Sequence, residues 1–156
     1  MPPLDLSTHP GHLARRLQQA HTLLWTTMVS QDVTSPQFAV LNTLVGADGL
    51  DQRTVGERVG LDRSTIAEVV RRLVTRGLVD KVRDTRDARR SALRLTTEGT
   101  RLHRRLSART ARMNEIFLAP LDPQERSTFL ELLQRVSDAA EDLRTPTTRP
   151  PERPAP

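Results

Sequence analysis

Cysteine and tyrosine are absent from the 156 residues, lysine occurs once (Lys81), and the only aromatics are Trp25, Phe38, Phe117 and Phe129. Each scarcity excludes something. Without thiols there is no disulfide framework, thiolate zinc site, iron–sulfur cluster or thiol redox sensor. No apolar run approaches the ~20 residues of a membrane helix. The N-terminus places proline, aspartate and histidine where a secretory signal needs a basic start and an apolar core. A soluble, cytoplasmic protein with no membrane partner is therefore expected. Few aromatics and only seven glycines argue against a β-sandwich or barrel. There is no glycine-rich phosphate loop and no His-Glu-x-x-His motif, and Ser64 has no neighbouring histidine in sequence. Nothing meets the needs of catalysis, so the expectation is a non-enzyme with no cofactor.

Arginine is what the sequence has in abundance. Residues 52–112 carry 17 basic and 7 acidic side chains, a net of +10; the remainder carries 7 and 12, a net of −5. A basic centre between acidic flanks is the electrostatic footprint of a nucleic-acid surface. It equally describes a solvated face in an arginine-rich protein, so local architecture must decide.

Residues 1–10, with three prolines, and 145–156, with five, read as disordered tails. Leu13, Leu17, Ala20, Leu24 and Met28 recur at spacings of three and four, one face of a first helix from His12 to about Ser30. Ser35 is placed to cap a second helix, with Pro36 at its first position. Phe38, Leu41, Leu44 and Val45 form that helix's apolar face. Asp51 caps a third helix, Gln52 to Val59, and Asp62 a fourth, running to about Arg76. The turn Val59-Gly60-Leu61-Asp62 joins these two as a helix-turn-helix. Leu78, Val79 and Val82 begin a strand, Asp84 to Arg90 form a charged loop, and Ser91 to Leu95 alternate as a second strand. Thr96 caps a fifth helix carrying Leu102, Leu106, Met113, Ile116 and Phe117. Asp122 caps a sixth, with Phe129, Leu132, Leu133, Val136, Ala140 and Leu143 at helical spacing. The predicted fold is mainly α: six helices with a two-stranded β-wing, in the order αααα-ββ-αα. Residues 35–96 form a winged helix-turn-helix, flanked by helices in 11–34 and 97–144. Those flanking helices are apolar on one face, which suits dimerisation.

On a wheel of about 100° per residue, Ile66, Val69, Val70 and Leu73 of the fourth helix share one sector and must face the core. Ser64, Glu68, Arg71 and Thr75 lie opposite, Thr65 and Arg72 flank them, and Arg63 sits in the first turn. Hydroxyls, guanidinia and a carboxylate can all bond base edges or phosphates. Glu68 can accept from a cytosine amine or pair with Arg71 or Arg72 within the helix. Arg53 and Thr54 on the third helix complete the candidate contacts on the helix-turn-helix. At the hairpin tip, an arginine among Arg86, Arg89 and Arg90 can enter a narrow minor groove. The aspartates of the tip, Asp84 and Asp87, can hold such an arginine extended through a fork-like pair; a solvated turn would also favour aspartate.

Gly60-Leu61-Asp62-Arg63-Ser64-Thr65, Val70-Arg71-Arg72-Leu73-Val74-Thr75-Arg76-Gly77-Leu78-Val79, Asp84-Thr85-Arg86-Asp87-Ala88-Arg89-Arg90 and Leu95-Thr96-Thr97-Glu98-Gly99 together resemble the MarR family of winged helix-turn-helix regulators, over roughly residues 10–144. The resemblance implies an intertwined homodimer on a palindromic double-stranded operator. A recognition helix would lie in each major groove and wing arginines in the minor groove, with Asp87 bracing Arg89. It also implies a repressor released when a small, often aromatic, anion binds; the missing cysteines exclude the thiol-sensing branch.

His21, Trp25 and Met28 lie at spacings of four and three on the first helix, and Phe38 and Leu41 begin the second. They can line an effector cleft, with Arg16 or His103 pairing a carboxylate; plain core packing explains Trp25, Met28 and Phe38 equally well. Leu24-Trp25 through Ser35-Pro36-Gln37-Phe38-Ala39-Val40-Leu41 also resembles a branch regulating catabolism of aromatic acids or their CoA thioesters. His9, His12, His21 and His103 could suggest a metal-responsive variant, but His9 and His12 sit in or near the tail with no carboxylate at suitable helical spacing, and a site needs three or four convergent ligands. A helical protein-interaction module remains the rival that binds no DNA.

Overall fold

The computed structural model describes residues 5–47, 49–83 and 91–144. The elements run α1 (Pro10–Leu24), a π turn (Trp25–Val29), α2 (Ser35–Thr43), β1 (Leu50–Asp51), α3 (Gln52–Arg58), α4 (Arg63–Thr75), β2 (Val79–Arg83), β3 (Ser91–Leu95), α5 (Thr97–Phe117) and α6 (Pro123–Arg144). The chain divides into two units, residues 1–117 and 118–156. The six helices appear in the expected order. The wing hairpin is extended to a three-stranded antiparallel sheet, β1-β3-β2, because Leu50 and Asp51 pair with Leu93 and Ala92.

Side chains start most of these helices, as the sequence demands. Asp51 accepts from the Thr54 N–H, Asp62 from those of Ser64 and Thr65, and Thr96 Oγ1 from that of Gly99. Asp122 and Glu125 exchange reciprocal bonds of 2.8 and 2.9 Å, a capping box. The second helix differs from expectation. Thr34, not Ser35, is its cap: Thr34 Oγ1 accepts from the Gln37 N–H and Gln37 Oε1 accepts from the Thr34 N–H. The glutamine three residues on completes a box only from Thr34, which shifts Ser35 into the first turn.

The first helix also departs from its predicted stripe. No residue of α1 is buried; Leu13 stays 42% exposed, and Leu17, Leu24 and Met28 are half-buried. Trp25 and Val29 enter the core instead, from a π turn closed by Ser30 N–H to Trp25 O at 3.0 Å. Thr26 and Thr27 hydroxyls bond back to the Leu23 carbonyl at 3.0 and 2.8 Å. Such back-bonding competes with the regular ladder and favours a local widening.

One core runs through the first unit: Trp25, Val29 and Val33, the inner faces of α2 and α4, Val55, Leu78 and Val79, Leu93, and Leu102, Leu106 and Met113 of α5. Gly99 is what lets α5 reach it. A Cβ there would meet the Leu78 carbonyl oxygen at 2.0 Å, so only glycine allows the helix to seat on the end of the hairpin. Thr96 fastens the same corner by donating to Gly77 O at 2.7 Å.

Candidate DNA-reading surface and effector cavity

The helix-turn-helix is built on close backbone approach. The turn carries Gly60 at φ 66°, and the Leu61 N–H donates to Gly56 O at 2.9 Å. Gly56 lies against Ile66 of the next helix, so a larger residue would separate α3 from α4. Ile66, Val69, Val70 and Leu73 are all buried, as their wheel positions require. That burial fixes which face of α4 turns outward.

The outward face is ordered before any ligand arrives. Ser64 and Thr65 hydroxyls each donate to Asp62 at 2.6 Å, and these bonds hold the Asp62 carboxyl well below the usual range. Arg71 forks onto Glu68 through Nε (2.8 Å) and Nη2 (2.7 Å), and Arg72 Nε joins at 2.6 Å. The two guanidinia hold the Glu68 carboxyl down at about 2. Of the two roles open to Glu68, the structure forms the intrahelical pair. Arg63 is exposed. On α3, Arg53 pairs with Glu57 at 2.7 Å, and the Thr54 hydroxyl donates to Asp51 at 2.8 Å. Arg53, Glu57, Leu61 and Arg63 border a cleft of about 640 Å³ between the two helices. Arg86, Asp87, Arg89 and Arg90 lie outside the described residues.

The expected effector residues divide into two groups. His21, Trp25, Phe38 and His103 form a row of rings: 6.2 Å from His21 to Trp25, 5.5 Å on to Phe38, and 5.4 Å from Phe38 to a parallel-stacked His103. Phe117 meets His21 edge-on at 5.8 Å. His103 Nε2 lies 3.0 Å from Asn42 Oδ1 and 3.2 Å from Ser107 Oγ, and burial pushes its pKa down. Trp25 and Leu41 are buried in the core, and Met28 and Phe38 pack against it, so core packing accounts for all four. Arg16 stands exposed on α1.

Beside the rings lies a cavity of about 150 Å³, lined among others by Gln18, His21, Thr22, Trp25, Thr26 and Thr34. Sequence reading missed its polar side. Gln18, Thr22 and Thr26 recur every four residues, a faint signal once Trp25 is known to point inward. Among the described residues no group of three His, Asp or Glu side chains is arranged to hold a metal ion, and no helix is long and apolar enough to cross a membrane.

A capped recognition helix behind a tight turn, followed by a β hairpin and seated on flanking helices, defines a winged helix-turn-helix protein. The chain belongs to the MarR family of transcriptional regulators: the family model matches residues 31–90. The transcriptional regulator HosA of Escherichia coli O111:H- is 31% identical over 82% of this chain and 94% of its own. The PcaV transcriptional regulator from Streptomyces coelicolor, solved in complex with its natural ligand, superposes with a TM-score of 0.87. It is 71% identical, covering 90% of this chain and 99% of that one. Bordetella bronchiseptica BpsR, whose DNA binding is regulated by 6-hydroxynicotinic acid, is 26% identical over 88% of this chain and 99% of its own, with a TM-score of 0.78.

Proposed function

We propose that this regulator binds a palindromic double-stranded operator as a homodimer and represses transcription until a small aromatic acid releases it. The carrying observation is α4: four buried apolar residues lock its inner face, leaving Ser64, Thr65, Glu68, Arg71 and Arg72 on a pre-ordered outer face. Arg53, Thr54 and Arg63 add to that face, and Arg86, Arg89 and Arg90, with Asp87, are assigned the minor groove. Residues 35–96 read DNA, and the helices in 11–34 and 97–144 dimerise.

Of the ring row, His21 and Trp25 line the cavity, and aromatic side chains there favour a planar ligand through stacked or edge-on contact. BpsR responds to an acid of this kind. A cavity of about 150 Å³ suits the free acid better than a CoA thioester. Arg16 and His103 are the proposed partners of its carboxylate, although neither lines that cavity.

The test pairs a duplex carrying an imperfect palindrome from the protein's own promoter with random duplex, at two salt concentrations. A regulator prefers the palindrome and shows a steep negative salt slope. Flat salt dependence favours a protein-interaction module instead. If no member of an aromatic-acid panel raises the melting temperature or releases DNA, the effector assignment fails.

A further inference from the structure

The guanidinium of Arg71 is presented in an unusually defined way for an exposed side chain. Its Nε edge is committed to Glu68 through two bonds. The opposite edge, Nη1 with the second hydrogen of Nη2, has no partner among the described residues, and the side chain is 65% exposed. Two parallel N–H groups on one planar edge match the O6 and N7 acceptors of guanine in the major groove. A guanidinium already held in place loses less rotamer freedom when it docks.

Glu68 is poorly placed to read a base itself. Oε1 accepts from both Arg71 and Arg72, and Oε2 accepts from Arg71. Both acceptor positions of Oε1 are filled, and the one left on Oε2 belongs to an oxygen already turned to the Arg71 guanidinium.

We propose that Arg71 reads a guanine in each operator half-site through its free edge, and that Glu68 is the positioning residue that aims it. This rests on the DNA-reading function proposed above. The experiment selects binding sites from a random duplex library with the full chain and with Arg71→Ala, Arg71→Lys and Glu68→Ala. Affinities for the enriched site then follow from fluorescence anisotropy at two salt concentrations.

The expected result is a G·C pair in each half-site, preferred roughly ten- to hundredfold for a bidentate contact. That preference is lost in both Arg71 variants and weakened in Glu68→Ala. Replacing that guanine by 7-deazaguanine, which lacks the N7 acceptor, lowers wild-type binding and leaves Arg71→Ala unaffected. Glu68→Ala also binds random duplex more tightly, because a carboxylate has left the DNA face; a merely structural role would not produce this.

The proposal is overturned if Arg71→Ala keeps the wild-type preference and only reduces the salt slope by about one, the signature of a phosphate contact. It is equally overturned if Glu68→Ala erases a preference that Arg71→Ala retains, which is direct reading by the carboxylate. A wild-type chain that enriches no sequence overturns the DNA-reading function itself, before any variant is compared.

Discussion

Gly99 illustrates how much one residue decides. Its missing side chain admits the Leu78 carbonyl to a distance no Cβ could tolerate. The obstacle is backbone, already engaged by the Thr96 N–H at 3.2 Å, so it cannot swing aside. Gly99→Ala is expected to cost about 1–3 kcal/mol as an overpacking change, read as a lower denaturant midpoint with an unchanged slope. Glu68 yields a prediction in pH. Its ordinary value of 4.5 is lowered to about 2 by Arg71 and Arg72. A depressed carboxylate contributes fully above its ordinary value and loses that contribution only as pH falls through the depressed one. Operator preference at the Arg71-dependent pair should therefore be the same at about pH 4, below the ordinary carboxyl value, as at neutrality, measured in one buffer of fixed ionic strength. Loss of that preference by about pH 4 would mean that the pair does not form in solution.

At the scale of elements, the segment joining the π turn to α2 is held by its carbonyls. Trp25 Nε1 donates to Val33 O at 2.6 Å, Arg76 Nη1 to Asp32 O at 2.7 Å, and Arg109 Nη1 to Val29 O at 3.1 Å. Trp25 of the π turn, Arg76 just past α4 and Arg109 of α5 thus hold the end of the π turn and the loop after it, and Ser30, Val33 and Thr34 of that loop also line the cavity. Arg76 follows directly on the recognition helix. Removing its guanidinium in Arg76→Met should loosen the loop. The expected readouts are a red shift in emission from Trp25, the sole tryptophan, and faster amide exchange over residues 32–37. Unchanged emission and exchange would show that the other two donors suffice. The Thr34–Gln37 capping box is the other anchor, and Thr34→Ala should cost about 1 kcal/mol.

For the whole molecule, exposed apolar residues matter more than net charge. Val136 and Leu143 of α6 are 68% and 88% exposed, and Leu130, Leu132 and Leu133 are each at least 40% exposed. These exposed apolar side chains are the surface that the proposed homodimer would cover. Sedimentation should give twice the 17.5 kDa chain mass. Val136→Glu should shift the species toward monomer and weaken binding to a palindrome more than to a half-site, with helix content retained. A wild-type monomer at micromolar concentration would defeat the two-fold reading.

Much of this was legible in the residues, for a definable reason. Helix starts at Asp51, Asp62, Thr96 and Asp122, and the inner face of α4, depend on interactions within one turn, so order along the chain suffices. The composition likewise separated a centre of +10 from flanks of −5 and excluded thiol chemistry outright. Partner choice across long separations was not legible. That Leu50 and Asp51 would join β3, that His103 would stack on Phe38, and that the Leu13–Met28 stripe would stay outside the fully buried core depend on which distant residues arrive. Glu68 stands between the two cases. Sequence spacing allowed it a base or two arginines, and only the burial of Val69, Val70 and Leu73, by fixing how α4 is turned, left carboxylate and guanidinia together on the open face.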